Sequence, residues 1–328
     1  MNRLAGLRAA LGRSRAARGA ATPPGRAGRG DAIVDGPLLQ TLDRLSIGLG
    51  RDLVAGLMGE HRAARRMPGS EFADYRPYVS GDDLRRVDWN AYARLGTLQI
   101  KQSQTEHDTV LHLLVDASPS MAFGTPSKFL AARRLAAALG YIALAHLDAV
   151  VLSTPGGRTR AGAAAEAAAG LDPVRSRAAA GTLFRALHDL QPATVSGFDG
   201  ILAGWTTEAT PGRPVVLLSD LLLDDYQAGV RRLVAAGFQV TILHILSPDE
   251  LHPAAEGDLQ LIDSETGEQL EIRLDRESRA AYGRQLAAWR AEVAEWCRLQ
   301  GVTYILVPSD WDVERALLEL LRHGRVTA

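Results

Sequence analysis

Two long apolar runs, each ending in an aspartate, constrain the fold of this 328-residue chain most strongly. The first covers 110–115 and ends at Asp116, and the second covers 214–219 and ends at Asp220. Such runs suit strands of a parallel sheet that is buried on both faces. Further strand patterns alternate with helical patterns along the chain, at 149–152, 239–246 and 303–307. This alternation predicts an α/β fold with an open, mostly parallel sheet.

Helical periodicity fills most of the segments between these strands. A leucine-rich pattern at 37–66 predicts a helix that glycines interrupt in its middle. Thr125 and Pro126 predict the N-cap and first position of the next helix. Further helices are expected at 226–236, 277–299 and 313–321.

Two antiparallel hairpins are also expected. Few polar residues separate 98–102 from 109–115, so these segments are predicted to pair. The segments 259–263 and 269–273 alternate apolar and polar residues around a short turn-forming loop, which is typical of a hairpin with one solvated face.

Composition excludes several classes of protein. Hydrophobic residues make up 46% of the chain and the formal net charge is −1, which favours a globular protein and argues against a general nucleic-acid binder. The single cysteine, Cys297, excludes an internal disulfide framework and suits a reducing, cytoplasmic location. No apolar run is long enough for a membrane span. Residues 1–30 hold seven arginines and no acid, which predicts a disordered basic tail.

The first apolar run leads into Asp116, Ser118 and Ser120, one carboxylate and two hydroxyls at alternate positions. This Asp-x-Ser-x-Ser pattern resembles the first metal-binding motif of von Willebrand factor type A domains, where it builds a metal-ion-dependent adhesion site. The resemblance implies a Rossmann-like sheet with Thr182 as the second motif and Asp220 as the third. Clusters of Ser and Asp after a strand also serve as plain turns, so the pattern alone leaves both readings open.

By that resemblance, Ser118, Ser120 and Thr182 offer hydroxyl oxygens, while Asp116 and Asp220 bind the ion directly or through water. Oxygen ligands with few charges suit Mg²⁺. The type A pattern has glycine after its third-motif aspartate, whereas Leu221 stands here. The alternative is a metal-free site in which these polar groups pair with each other.

Several pieces of the chain, in order and spacing, resemble bacterial domain-of-unknown-function family 58, from about Gly69 to the C-terminus. The matching pieces are Glu71-Phe72, Arg76, Tyr78, Gly81–Arg86, Val87–Trp89, Ala93-Arg94, Glu106 and Leu113–Met121. The mixed charges between 82 and 88 are interpreted as an ion-pair network that fixes this region in place. The expected organisation is a tail at 1–30, a family-specific segment at 31–108 and a type A-like domain at 109–328.

The sequence favours a non-enzymatic protein-interaction module or adaptor with a divalent-ion site. The family resemblance implies a partner, a MoxR-type AAA+ ATPase, and the chain carries no phosphate-binding loop of its own. A nucleophile elbow is also absent from the sequence. The alternative function is a metal-dependent hydrolase that uses Asp116, Ser118 and Ser120.

Overall fold

A computed structural model describes residues 13–15, 33–58, 74–77, 92–94, 96–102, 110–146, 149–154, 158–159, 173–192, 212–223, 225–254, 256–263 and 269–326. The strands are β1 (Arg13–Arg15), β2 (Asp74–Pro77), β3 (Gln99–Gln102), β4 (Val110–Val115), β5 (Ala149–Ser153), β6 (Arg158–Thr159), β7 (Val174–Arg175), β8 (Leu190–Gln191), β9 (Pro214–Ser219), β10 (Gln239–Leu246), β11 (Gly257–Asp263), β12 (Gln269–Leu274) and β13 (Thr303–Pro308). The helices are α1 (Gly36–Met58), α2 (Lys128–His146), α3 (Ala180–Asp189), α4 (Tyr226–Ala235), α5 (Pro248–Leu251), α6 (Arg276–Leu299) and α7 (Val313–Val326).

The chain divides into two compact units, residues 1–60 together with 109–328, and residues 61–108. The first unit contains a six-stranded sheet in the order β13-β10-β9-β4-β5-β7. All its strand pairs are parallel except β5 with β7. The expected open, mostly parallel α/β sheet is therefore confirmed, with the two aspartate-ended strands β4 and β9 adjacent at its centre.

The central strands are buried because helices cover both faces of the sheet. On β4, Leu111, Leu113 and Val115 pack with α1, α2 and α7 in one core, whereas Leu114 packs in a second core with α4 and α6. Alternate residues of a strand point to opposite faces. Both faces of β4 pack against apolar layers, so nearly every residue of the strand must be apolar.

Helix α1 is continuous, in contrast to the predicted glycine break. Gly50 explains the difference, since a Cβ there would lie 2.3 Å from Nε2 of His146 on α2. The glycine therefore allows close approach of two helices rather than interrupting one. Helix α1 belongs to the same compact unit as the sheet and packs on α2 and α7. Residues 59–66, the predicted end of this helix, lie outside the described residues.

Helix α2 lies between the sheet and α1, so it is buried on more than the single face that its periodicity indicates. Its start also differs from the prediction. Ser127 rather than Thr125 caps the helix, since its Oγ accepts a hydrogen bond from the Leu130 amide at 3.2 Å. Ser127 lies one residue before the helix and satisfies an amide that the first turn leaves unpaired.

The two predicted hairpins have different outcomes. Strands β11 and β12 pair antiparallel, as predicted. Strand β3 pairs instead with β2, within the 61–108 unit, while β4 is held between two parallel neighbours. The prediction that β3 pairs with β4 was wrong because it relied on nearness in sequence, whereas β4 is buried between β5 and β9.

Part of the predicted tail is ordered as a strand, since β1 pairs antiparallel with β11. The open edge of the β11–β12 hairpin offers backbone groups to which a short extended segment can bond. The rest of the tail and the predicted ion-pair network at 82–88 lie outside the described residues. No helix among the described residues is both long and apolar enough to cross a membrane.

Candidate functional site

Asp116 and Asp220 meet at the carboxyl edge of the sheet, where ligands of open α/β folds collect. Strands β4 and β9 are adjacent and parallel, so both end at this edge. The Asp116 amide continues the strand pairing and donates to the Leu218 carbonyl at 2.9 Å. Both aspartates are fully buried. The structure therefore brings together the two carboxylates that the sequence placed at strand ends.

The two serines of the first motif turn back towards Asp116. The Ser118 amide donates to Oδ1 of Asp116 at 2.8 Å, which closes a turn directly after β4. A single 3-10 turn, Pro119–Ala122, follows. It places Ser120 Oγ 3.0 Å from Ser118 Oγ, and both serines are buried. One carboxylate and two hydroxyls thus converge within five residues of chain.

Ser219 is a member of the cluster that the motif pattern did not indicate. Its hydroxyl donates to Oδ2 of Asp116 at 2.5 Å and accepts from the Leu221 amide at 2.9 Å. The strand register explains why Ser219 lies beside Asp116. Leu114 pairs with Leu217, so the residues two positions later, Asp116 and Ser219, also lie side by side. Ser219 orients Asp116 and ties the β4 turn to the β9 turn.

The turn after Asp220 has the backbone shape that the usual glycine would favour, although Leu221 occupies that position. Leu221 has a φ of 57°, in the left-handed region, and its side chain is fully buried in the second core. A left-handed non-glycine residue costs about 1–3 kcal/mol. Burial of a leucine side chain stabilises by a similar amount, about 1.5–3 kcal/mol. The turn lets Asp220 Oδ1 accept from the Leu222 amide at 3.2 Å.

A buried lysine that the sequence analysis did not single out completes the site. Lys128, the first residue of α2, donates from Nζ to Asp220 Oδ2 at 2.7 Å and to Glu250 Oε1 at 2.6 Å. The exposed fractions of the three side chains are 0%, 0% and 4%. We call Lys128, Asp220 and Glu250 the lysine triad. Its contacts join residues 92 and 122 positions apart, so local spacing could not indicate them.

Glu250 is held in the lysine triad by the turn that follows β10. Ser247 and Glu250 form a reciprocal capping box at the start of α5: the Ser247 amide donates to Glu250 Oε2 at 2.7 Å, and the Glu250 amide donates to Ser247 Oγ at 3.2 Å. The Tyr282 hydroxyl also donates to the Glu250 carbonyl at 2.7 Å. The Ser-Pro-Asp-Glu sequence at 247–250 does signal the cap. It does not signal that the same carboxylate reaches Lys128.

The electrostatics of the site reflect burial of several charges together. Burial, and next the negative charge of Asp220, raise the pKa of Asp116 to about 6. Burial also raises the pKa of Glu250, although Lys128 opposes the shift. For Lys128, burial alone would lower the pKa, but Asp220 and Glu250 outweigh it and hold that pKa above its usual range. Asp220 and Glu250 share the Lys128 ammonium, and buried Asp116 adds a third negative charge near Asp220. When all groups are ionised, two negative charges therefore lack a cation among the described residues of the site.

A buried histidine lies behind the lysine triad. His244 of β10 is fully buried, and its Nδ1 is 2.7 Å from the Tyr304 hydroxyl. Burial lowers its pKa to about 3, so the ring is neutral at physiological pH and adds no positive charge to the site. The missing cationic charge therefore does not come from His244.

Thr182, predicted as a hydroxyl ligand, lies in the first turn of α3 and is exposed. Its neighbour Leu183 packs against Gly140 of α2, since a Cβ added at Gly140 would lie 2.3 Å from Leu183 Cδ2. Gly140 lies twelve residues after Lys128 on α2, which is about 18 Å along the helix axis at about 1.5 Å per residue. The structure thus gathers Asp116, Ser118, Ser120 and Asp220 and does not bring Thr182 to them.

The spacing of the two serine hydroxyls is compatible with adjacent ligands of a magnesium ion. Mg²⁺ binds oxygen at about 2.0–2.1 Å in an octahedron, so adjacent ligands lie about 3 Å apart. The Ser118 and Ser120 hydroxyls are 3.0 Å apart, and the uncompensated negative charge nearby favours a cation. Among the described residues, no group of three or more His, Cys, Asp or Glu side chains is arranged to hold a metal. An ion at this site would therefore depend on the serine hydroxyls as well as the carboxylates.

Comparisons with known proteins place these residues inside a recognised family. The family model described as Protein of unknown function DUF58 matches residues 74–292. Uncharacterized proteins of Mycobacterium bovis and Mycobacterium tuberculosis are each 30% identical to this chain over 291 residues, which cover 87% of this chain and 88% of the relative. The match to the family model includes both Asp116 and Asp220.

Two solved structures are also similar to part of the chain. The conserved hypothetical protein BatB from Bacteroides thetaiotaomicron is 15% identical with a TM-score of 0.39, and the match covers 66% of this chain and 98% of that one. An aerotolerance-related membrane protein from Bacteroides fragilis, with multiple mutations to serines, is 16% identical with a TM-score of 0.40, and the match covers 66% and 99%.

Proposed function

The chain belongs to the family described as Protein of unknown function DUF58, and we propose that it is a non-enzymatic protein-interaction module with a divalent-ion site. One observation carries the proposal. Asp116, Ser118 and Ser120 converge with Asp220 at the carboxyl edge of two central strands, in a buried cluster with excess negative charge. The Asp-x-Ser-x-Ser resemblance to von Willebrand factor type A domains points to the same residues.

In this proposal Ser118 and Ser120 hold a Mg²⁺ ion through their hydroxyls, with Asp116 and Asp220 as the charged ligands. Ser219 keeps Asp116 in place through its 2.5 Å hydrogen bond. Bound Mg²⁺ supplies a coordination position for a carboxylate of another protein. The chain's own residues bind and orient the ion, and the partner completes its coordination.

The proposed partner is a MoxR-type AAA+ ATPase, as the family resemblance implies. The sequence carries no phosphate-binding loop, so any step driven by nucleotide hydrolysis must come from a second protein. A cytoplasmic location is part of the proposal, because such an ATPase and Mg²⁺ would both be available there.

The experiment is a binding assay between the full chain and the MoxR-type ATPase of the same genome. Mg²⁺ should support association, while EDTA and Asp116→Ala should each weaken it. Exposed Glu295 supplies a control, since Glu295→Ala removes a carboxylate far from the proposed ligands and should leave binding unchanged. Association that ignores both EDTA and Asp116→Ala would place the interface elsewhere. Failure to bind the ATPase at all would remove the partner from the proposal.

The hydrolase alternative has weaker support from the geometry. Ser118 Oγ bonds to Ser120 Oγ and to the Asp116 carboxylate, but Ser118 is fully buried, so a bulky ester or phosphate substrate could not reach this hydroxyl. A screen of phosphatase and esterase substrates with Mg²⁺ or Mn²⁺ tests it. Turnover that Asp116→Ala and Ser118→Ala abolish would establish the hydrolase instead of the interaction module.

A further inference from the structure

Lys128 contacts one of the proposed metal ligands directly. Its ammonium donates to Oδ2 of Asp220 at 2.7 Å, and neither side chain is exposed to solvent. The site therefore already contains one cation of its own. This cation is absent from the Asp-x-Ser-x-Ser pattern, because Lys128 comes from the start of the following helix.

The position of Lys128 is fixed on several sides. Glu250 binds the same ammonium at 2.6 Å, and Glu250 is itself held by the Ser247 capping box. The Phe123 ring lies 5.9 Å from the ammonium, within the range of a cation–π contact. These contacts leave the ammonium little freedom to withdraw when another cation arrives.

Two cations at one carboxylate repel each other. An ion bound at about 2.1 Å to Asp220 Oδ2, the oxygen that accepts from Lys128, would lie within about 5 Å of the Lys128 nitrogen. Water screens this repulsion poorly because the groups are buried. Repulsion from the Lys128 ammonium therefore lowers the affinity of Asp220 for a divalent ion.

We propose that Lys128 is an affinity-determining residue of the ion site, an internal cation that competes with the divalent ion for Asp220. This inference rests on the proposed function, since it concerns the same site. In the absence of a partner, Lys128 lowers the affinity of the site for divalent ions. Glu250 reduces this effect because its carboxylate partly neutralises the ammonium charge that acts on Asp220. A partner carboxylate that joins the ion would offset the competition, which ties ion binding to partner binding.

The test is the double variant Lys128→Met/Glu250→Gln. It removes one positive and one negative charge, so the net charge of the site stays the same while Asp220 is released from the ammonium. The control is Arg298→Met/Glu295→Gln, the same pair of changes at an exposed ion pair on α6. Affinity for Mg²⁺ and Mn²⁺ is measured by calorimetry, with competition between the two ions.

The double variant should bind divalent ions roughly tenfold more tightly or better, and the control should match the wild type. Equal or weaker binding by the double variant, with a wild type that binds, would overturn the role of Lys128 and leave the proposed function standing. Binding by the double variant alone would support the role of Lys128 and overturn an ion site that the unmodified chain fills without a partner. Binding by neither would overturn both.

A second variant protects the test against misfolding. Glu250→Gln alone retains an oxygen that can accept from the Ser247 amide, and it leaves the ammonium to Asp220 alone. Its affinity for Mn²⁺ should fall several-fold below that of the wild type. An affinity equal to or above wild type would refute the competition, whether or not the double variant folds.

Discussion

The change Lys128→Met tests the buried charges of the site through stability alone. It removes the ammonium that two buried carboxylates share and leaves Asp220 and Glu250 side by side without a counter-charge. Removing one partner of a buried ion pair costs about 3–5 kcal/mol. Methionine keeps most of the length and the apolar stem of lysine, so the loss measures charge more than packing.

The matched control is Arg298→Met. Arg298 pairs with Glu295 at 2.7 Å, a distance like those in the lysine triad, but the two side chains are 69% and 55% exposed. Exposed ion pairs contribute about 0–1 kcal/mol. The two variants therefore remove ion pairs of similar length and should differ by several kcal/mol because of burial.

The assay is urea unfolding with EDTA present, so that no divalent ion replaces the lost charge. The free energy of unfolding should fall by about 3–5 kcal/mol in Lys128→Met and stay close to the wild-type value in Arg298→Met. The loss should shrink at lower pH, because protonation removes the stranded carboxylate charge and the pKa of Glu250 is already raised. A Lys128→Met protein within about 1 kcal/mol of wild type at pH 8 would refute the buried triad.

Three other predictions concern the fold. Gly140→Ala should destabilise by about 1–3 kcal/mol, because its Cβ would overlap Leu183 Cδ2 at 2.3 Å, whereas Gly283→Ala, mid-helix with nothing within 4 Å, should stabilise by about 1 kcal/mol. Urea unfolding measures both, and effects of the same sign would contradict the packing of α2 on α3. Burial lowers the pKa of His112 to about 4, so the unfolded chain binds its proton first and stability should fall by up to about 3 kcal/mol as pH drops from 6.5 to 4. His112→Gln should flatten that part of the pH–stability profile, and an unchanged slope would show that other groups set it. Removing residues 1–30 should change the free energy of unfolding by less than about 1 kcal/mol, since the part of that segment that the structure describes is a three-residue strand paired with the hairpin, and a larger loss would show that the segment packs.

The strand ends of the site were predictable because they depend on local pattern. The apolar runs before Asp116 and Asp220 identify buried parallel strands, and such strands end at one edge of the sheet. The sequence also flagged Leu221 as a departure from the usual glycine. It could not indicate that leucine adopts the left-handed conformation there, because its buried side chain provides the offsetting stabilisation.

The parts that sequence could not predict depend on contacts between distant segments. Lys128 and Glu250 look like ordinary helix-start residues until the fold brings both to Asp220. The predicted pairing of β3 with β4 failed for the same reason, since sequence nearness said nothing of the parallel partners of β4. Thr182 matched the second motif in sequence order, yet its helix packs near Gly140, well along α2 from the site.

The central claim is that the Asp116 cluster binds a divalent ion, and Mn²⁺ binding followed by electron paramagnetic resonance tests it most directly. Wild type and Asp116→Asn are titrated with and without acetate, which stands in for a partner's carboxylate. Asparagine keeps an acceptor for the Ser118 amide, so the fold should persist. The account predicts one Mn²⁺ per wild-type chain, displaced by Mg²⁺ and lost in Asp116→Asn. Equal binding by the two proteins, or none by wild type even with acetate, would contradict it.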